Sequence, residues 1–163
     1  MLKEIYKRRS YHDGFDDSRT ISEEDINEIL KAGMNAPSTD NTQPWEFVVV
    51  DDRELLVKLS RVTAWTKATA TASHAIIICA EPDELQEMNV GIAVQNLALA
   101  AANLDVGSLI MAITIEDAQE TVKDLLETPT AHTAYIMLAL GYPTEPLPPN
   151  DRWVERKVHW NKF

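Results

Sequence analysis

The chain has 163 residues, 45% of them apolar, which is enough for one folded domain with a real core and too apolar for a disordered chain. Its net charge of −11, from 26 acids against 15 bases, argues against a nucleic-acid partner or an anionic membrane surface, since either needs a basic face. No apolar run reaches the length of a membrane span and the start has no signal-peptide pattern, so a single cytoplasmic domain over residues 1–163 is the expectation. The single cysteine, Cys79, lies in the apolar run Ile76-Ile77-Ile78-Cys79-Ala80 and reads as a buried, inert thiol.

In chain order, Leu2, Ile5 and Tyr6 recur at helical spacing and open a short helix that runs into Lys7-Arg8-Arg9-Ser10. In so acidic a chain this basic cluster stands out; an arginine fork matches phosphate oxygens and a serine adds a hydroxyl donor, while the bland alternative is a solvated helix end. Ser22 is an N-cap signal followed by acids, with Ile21 and Ile26 at staple positions, and Ile26, Ile29, Leu30 and Met34 mark the buried face of the next helix. That helix delivers the chain to Ala36-Pro37-Ser38-Thr39-Asp40-Asn41-Thr42-Gln43-Pro44-Trp45, where two prolines bracket a run of hydrogen-bonding side chains. Such a loop suits the polar edge of a ligand; equally, it is a helix-to-strand connection rich in local turns.

Phe47 to Val50 read as a buried strand, and Asp51 or Asp52 as the cap of a helix carrying Leu55, Leu56 and Leu59. Residues 62–73 are small and polar, a helix or loop without clear boundaries, and Ala75 to Ala80 form the next strand. A long helix follows from about Glu84 to Asn103, apolar almost all round, with Gln95 and Asn96 as amides expected to be buried and to tie the core together. Burying it so completely points to a dimer interface. Leu109 to Ile113 is a strand, Thr114 to Asp117 a cap signature for a helix carrying Ala118, Val122, Leu125 and Leu126, and Tyr135 to Leu140 the last strand. The tail, residues 143–163, holds Pro143, Pro146, Pro148 and Pro149 and then Trp153, Val158, Trp160 and Phe163, so it reads as an extended segment that docks on this chain or a partner. Periodicity alone gives a layered α/β domain without a G-x-G-x-x-G turn or a P-loop.

Four stretches together resemble the nitroreductase family of flavin enzymes: Lys7-Arg8-Arg9-Ser10; Pro37-Ser38-x-x-Asn41-x-Gln43-Pro44-Trp45; Gly91-x-Ala93-x-Gln95-Asn96-Leu97; and Leu140-Gly141-Tyr142-Pro143 with Val158-His159-Trp160 beyond. The resemblance covers most of the chain. It implies an α+β fold, a mixed sheet flanked by helices, built as an intertwined homodimer with FMN in interface sites. It also implies cofactor-binding residues. Arg8, Arg9 and Arg152 would meet the phosphate, with Arg156 and Lys157 in reserve. Ser10, His12, Pro37, Ser38, Thr39 and Asn41 would contact the rest, the 37–41 loop reaching across the dimer. Lys67 is the only base near the region that often faces the ring, and Ile110, Met111 and Ala112 are candidates for main-chain contact with it. The sequence departs from the family pattern at His12, usually Arg or Lys, at Asp105, usually glycine, at Asn89, typically Asp, and in having no Asn near residue 65.

The implied activity is an FMN-dependent oxidoreductase that uses NAD(P)H to reduce nitroaromatic, quinone or related electron-poor small molecules by a ping-pong hydride transfer, with no catalytic side chain, because the chemistry belongs to the flavin. The competing class is a flavin store, sensor or degenerate relative without turnover. No Ser-His-Asp order, zinc spacing or paired-carboxylate pattern suggests another kind of enzyme.

Overall fold

The computed structural model describes residues 3–163; the expected helical contact of Leu2 lies outside the described residues. The elements follow the expected order: α1 (Lys3–Lys7), α2 (Glu23–Met34), β1 (Glu46–Val50), α3 (Arg53–Leu59), β2 (His74–Ala80), α4 (Gln86–Asn103), β3 (Gly107–Ala112), α5 (Glu116–Leu126) and β4 (Thr133–Gly141). The strands form one sheet in the order β1-β2-β4-β3, antiparallel at every strand pair. Parallel pairing enters through the bridge between Ser10 and Ser108, where the segment after α1 runs along the outer edge of β3. The fold is α+β with helices flanking the sheet as expected, but the four-stranded sheet is antiparallel rather than mixed, since the Ser10–Ser108 bridge lies outside its strands.

The central strands β2 and β4 are buried on both faces, which is why they read as continuous apolar runs. Alternation along β2 divides the core. Ile77 joins Leu56 and Leu59 of α3 and Val122 of α5 on one face. Ile76 and Ile78 join Ile29 of α2 and Val90, Leu97 and Ala101 of α4 on the other. Strand β1 differs from the expectation of a buried strand: it pairs only with β2, so Phe47 and Val48 are half-buried and Val49 is exposed.

The expected caps hold at two helices. Ser22 Oγ accepts the Asp25 N–H at 3.1 Å, with Ile21 and Ile26 both buried beside it. Asp52, rather than Asp51, accepts the Leu55 N–H at 2.8 Å. At α5 the expected cap is not made: the helix begins after Ile115 with no side-chain cap, and Glu116 and Asp117 face its N-terminal dipole instead. Met34 also departs from its helix's buried face and is exposed.

Small residues let α4 lie close against its neighbours; a Cβ on Gly33 would stand 2.5 Å from Leu97 Cδ2. Asn96 Nδ2 donates to the Ala32 carbonyl at 3.1 Å and ties α4 to α2 as expected. Gln95 does not follow the same expectation. It is exposed within this chain, on a face of α4 that also shows Met88 and Gly91, with nothing within 4 Å of where a Gly91 Cβ would stand.

The stretch from 62 to 73 contains a 3-10 turn at Lys67–Thr71. Its hydroxyls hold the chain together: Thr71 Oγ1 accepts the Phe15 N–H and Ser73 Oγ the Ile21 N–H, both at 2.9 Å. The tail docks on its own chain as far as Asn150, whose N–H donates to the Tyr6 carbonyl at 2.9 Å, while the Leu147 N–H reaches the Tyr11 hydroxyl at 3.3 Å. Beyond Asn150, Trp153, Trp160 and Phe163 stand exposed. No helix among the described residues is long and apolar enough to cross a membrane.

Candidate functional site

Where the end of α1, the α4–β3 turn and the proline-rich tail meet there is a cleft of about 230 Å³, lined among others by Lys7, Arg8, Arg9, Arg19, Asp105 and Ser108. The local cause is sequential. Helix α1 ends at Lys7, the Arg8 N–H closes its last turn on the Glu4 carbonyl at 2.8 Å, and the Tyr11 N–H donates to the Ser108 carbonyl at 3.2 Å, locking the chain that follows beside β3. The α4–β3 turn closes with Asp105 at φ 60, a left-handed conformation that asparagine and aspartate tolerate and glycine adopts freely.

Three of the four bases already have partners within the chain. Lys7 Nζ lies 2.6 Å from Asp105 Oδ1. The Arg9 guanidinium donates to the Pro148 carbonyl, and the Arg19 guanidinium carbon sits 3.6 Å above the Tyr142 ring. Arg8 makes no side-chain hydrogen bond or ion pair among the described residues. It also borders a second cleft with Tyr6, Asn150, Arg152 and Trp153, so Arg8 and Arg152, from opposite ends of the sequence, line one cleft. Arg156 and Lys157, in a 3-10 turn at Glu155–Lys157, are exposed and border neither cleft.

From the basic cleft the outer edge of β3 runs away past Ser108. Antiparallel pairing alternates, so every second residue of an edge strand turns its peptide groups outward. The Ser108 carbonyl is taken by Tyr11 and the Ala112 carbonyl by the Trp65 indole N–H at 3.2 Å, while the Ile113 N–H turns inward to the Tyr135 carbonyl at 2.8 Å. By that alternation Met111, buried and opposite Met137, spends its peptide groups on β4, and Ile110 presents its own to the open edge. Ser10 is half-buried at the bridge; His12 is exposed just beyond it; Lys67 is exposed two residues past Trp65. Tyr11, Arg19, Trp65 and Ser108 are not among the residues the sequence points to, and Asp105 is marked there only as a departure from a family glycine, not as a site residue. For Asp105 the missing glycine was the available signal; for Trp65 it was a lone tryptophan in a small, polar stretch.

The polar loop lies elsewhere. It carries a 3-10 turn at Thr39–Asn41, and Asp40, Asn41 and Gln43 have φ of 50, 55 and 49, three left-handed residues in four positions. Each such residue costs on the order of 1 kcal/mol unless its surroundings hold it. Here Ser38 Oγ accepts the Gln43 N–H at 2.9 Å, and Thr39 is held by the buried Asn89 of α4. Pro37 and Asn41 are exposed. Asn89 is near the start of α4, whereas the basic cleft touches Ala102 near its end. The rise of a helix places these about 20 Å apart, so one chain does not unite the loop with the arginines.

Burial pushes the Cys79 thiol up to about 11, which leaves it inert as expected. Among the described residues no group of three or more His, Cys, Asp or Glu side chains could hold a metal ion.

Comparison with known proteins adds to this geometry. A family model described as the nitroreductase family matches residues 5–87 and 79–142. A protein of Archaeoglobus fulgidus with the provisional name NADH dehydrogenase/NAD(P)H nitroreductase is 36% identical over 172 aligned positions, covering 99% of this chain and 98% of its own. A crystal structure from Bacteroides thetaiotaomicron with the same provisional name superposes with a TM-score of 0.93 at 30% identity, over 99% of this chain and 97% of the other. An FMN-dependent nitroreductase from Clostridium difficile has a TM-score of 0.93 at 27% identity, with both chains covered in full.

Proposed function

The chain belongs to the nitroreductase family of oxidoreductases, and from that membership we propose that it is an FMN-dependent enzyme that uses NAD(P)H to reduce nitroaromatic, quinone or related electron-poor small molecules. The observation that carries the reading is Arg8: a guanidinium without a side-chain partner among the described residues, between two clefts, at one end of a sheet edge whose next outward-facing peptide is that of Ile110. A phosphate monoester fits the first feature and the polar rim of a flat heterocycle fits the second.

In this reading Arg8, Arg9 and Arg152 hold the phosphate and Ser10 the chain that follows it. The Ile110 peptide meets the ring, with Met111 supporting it from the core. His12 and Lys67 are the ionisable side chains available to the ring's polar side. Arg9 and Lys7 would have to give up internal partners to take part; Arg8 would not. The chemistry the cofactor supplies when bound is the hydride relay, uptake from NAD(P)H and, after the nicotinamide leaves, delivery to the acceptor. The protein's part is to bind, orient and exclude water, which is why no catalytic side chain is assigned.

The assembly that suits these features is a two-fold homodimer. The face of α4 with Met88, Gly91 and Gln95 is uncovered, and so are Trp153, Trp160 and Phe163 of the tail. Two copies of α4 laid antiparallel would bring the loop of one chain, with Pro37, Ser38, Thr39 and Asn41, to the arginines of the other. The test is a visible spectrum of the purified protein followed by anaerobic NADH or NADPH. A flavin band that bleaches supports the enzyme. A band that persists with both reductants favours a flavin store or sensor, and a protein still colourless after soaking in FMN rejects the cofactor.

A further inference from the structure

We infer that Asp105 is a specificity-determining residue that lowers the site's preference for a phosphorylated flavin, a proposal that rests on the cofactor reading above. Its carboxylate stands 2.6 Å from Lys7 Nζ inside the basic cleft. The pair is open to solvent, with side-chain exposures of 41% for Lys7 and 83% for Asp105, so it contributes little to folding. The backbone does not favour an acid there either, since φ is 60 and glycine would meet that conformation without strain. What the carboxylate does change is charge. It neutralises one of four bases in the cleft and holds that base at the rim. A phosphate dianion entering beside Arg8 must then draw Lys7 away from Asp105 or bind without it, with a like charge close by in either case.

Asp105 acts through Lys7 and is therefore a positioning residue. Its signature is a change in the ratio of FMN to riboflavin affinity, because riboflavin lacks the phosphate and a general loosening of the turn would weaken both. The experiment is fluorescence titration of apoprotein with FMN and with riboflavin, for the wild type, Asp105→Asn and Asp105→Asn combined with Lys7→Met. Asparagine tolerates the left-handed backbone, so the turn is kept. The expected result is FMN binding about threefold to tenfold tighter in Asp105→Asn, riboflavin unchanged, and the gain lost in the double variant. A wild type that prefers FMN, with an FMN-to-riboflavin ratio unmoved by Asp105→Asn, overturns this proposal and leaves the cofactor reading standing. A wild type that binds neither flavin overturns both.

Discussion

Asn89 Oδ1 accepts two hydrogen bonds from Thr39, one from its backbone N–H at 3.0 Å and one from its hydroxyl at 3.3 Å. Asn89 is only 2% exposed, so a buried amide on α4 fixes the position of a surface loop with three left-handed residues. Removing the acceptor should release the loop before it releases the domain. Asn89→Ala is expected to destabilise by about 1–3 kcal/mol and to raise hydrogen exchange selectively at residues 38–43. Exchange in that segment equal to the wild type's would show that the loop is held by something else.

Arg8 and Arg9 are neighbours with different commitments. Arg9 is bound to the Pro148 carbonyl of the tail, while Arg8 has no such partner among the described residues. Arg8→Ala should therefore lower the flavin-to-protein absorbance ratio of the purified protein at least several-fold, with its melting temperature nearly unchanged, because a half-exposed side chain without partners holds little of the fold. Arg9→Ala should instead loosen residues 146–150, seen as faster proteolysis there. Full flavin retention by Arg8→Ala would sink its phosphate assignment.

The order of elements was legible because it is local: Ser22 and Asp52 cap helices in the way their sequence neighbours suggest, and the apolar run Ile76 to Ala80 is the buried strand it reads as. What was not legible depends on distant partners. Strand β1 looks as apolar as β2, but sheet order puts it at an edge. Thr114 sits in a capping pattern, yet the helix starts without using it. The arginine cluster was visible as a cluster, but which base is free depends on Asp105 and on Pro148, 139 positions from Arg9. The left-handed run at Asp40, Asn41 and Gln43 leaves no glycine to mark it, so the polar loop showed its donors but not its strain.

His74 gives the domain a pH dependence of known sign. Ser73 Oγ accepts the Ile21 N–H and lies 2.9 Å from His74 Nδ1, so the ring is tied into the buried start of β2. Burial pushes the His74 pKa below its ordinary value, with Asp51 opposing weakly. The unfolded chain then binds a proton near pH 6.5 that the folded chain resists, so stability is full above that pH and falls as the solution is acidified below it. His74→Asn, which keeps a hydrogen-bonding group near the Nδ1 position, should lose less melting temperature between pH 7.5 and 5.5 than the wild type. The same loss in both would remove His74 from the cause.

Gly141 tests how the core supports the cleft. It ends β4 opposite Gly107, and a Cβ built on it would stand 2.6 Å from both Cβ and Cγ of Phe15. Phe15 is buried, its backbone N–H is held by Thr71 and its ring packs 6.3 Å from Tyr11, so it has nowhere to go without moving its segment. Gly141→Ala should therefore cost about 1–3 kcal/mol, read as a lower urea midpoint with an unchanged slope. The segment that must shift is continuous with Arg8, Arg9 and Ser10, and Tyr11 is what locks it to Ser108. The variant should for that reason also bind FMN more weakly under conditions where it remains fully folded. A lowered midpoint with unaltered FMN affinity would mean that the Ser10–Ser108 bridge alone sets the cleft, independently of Phe15.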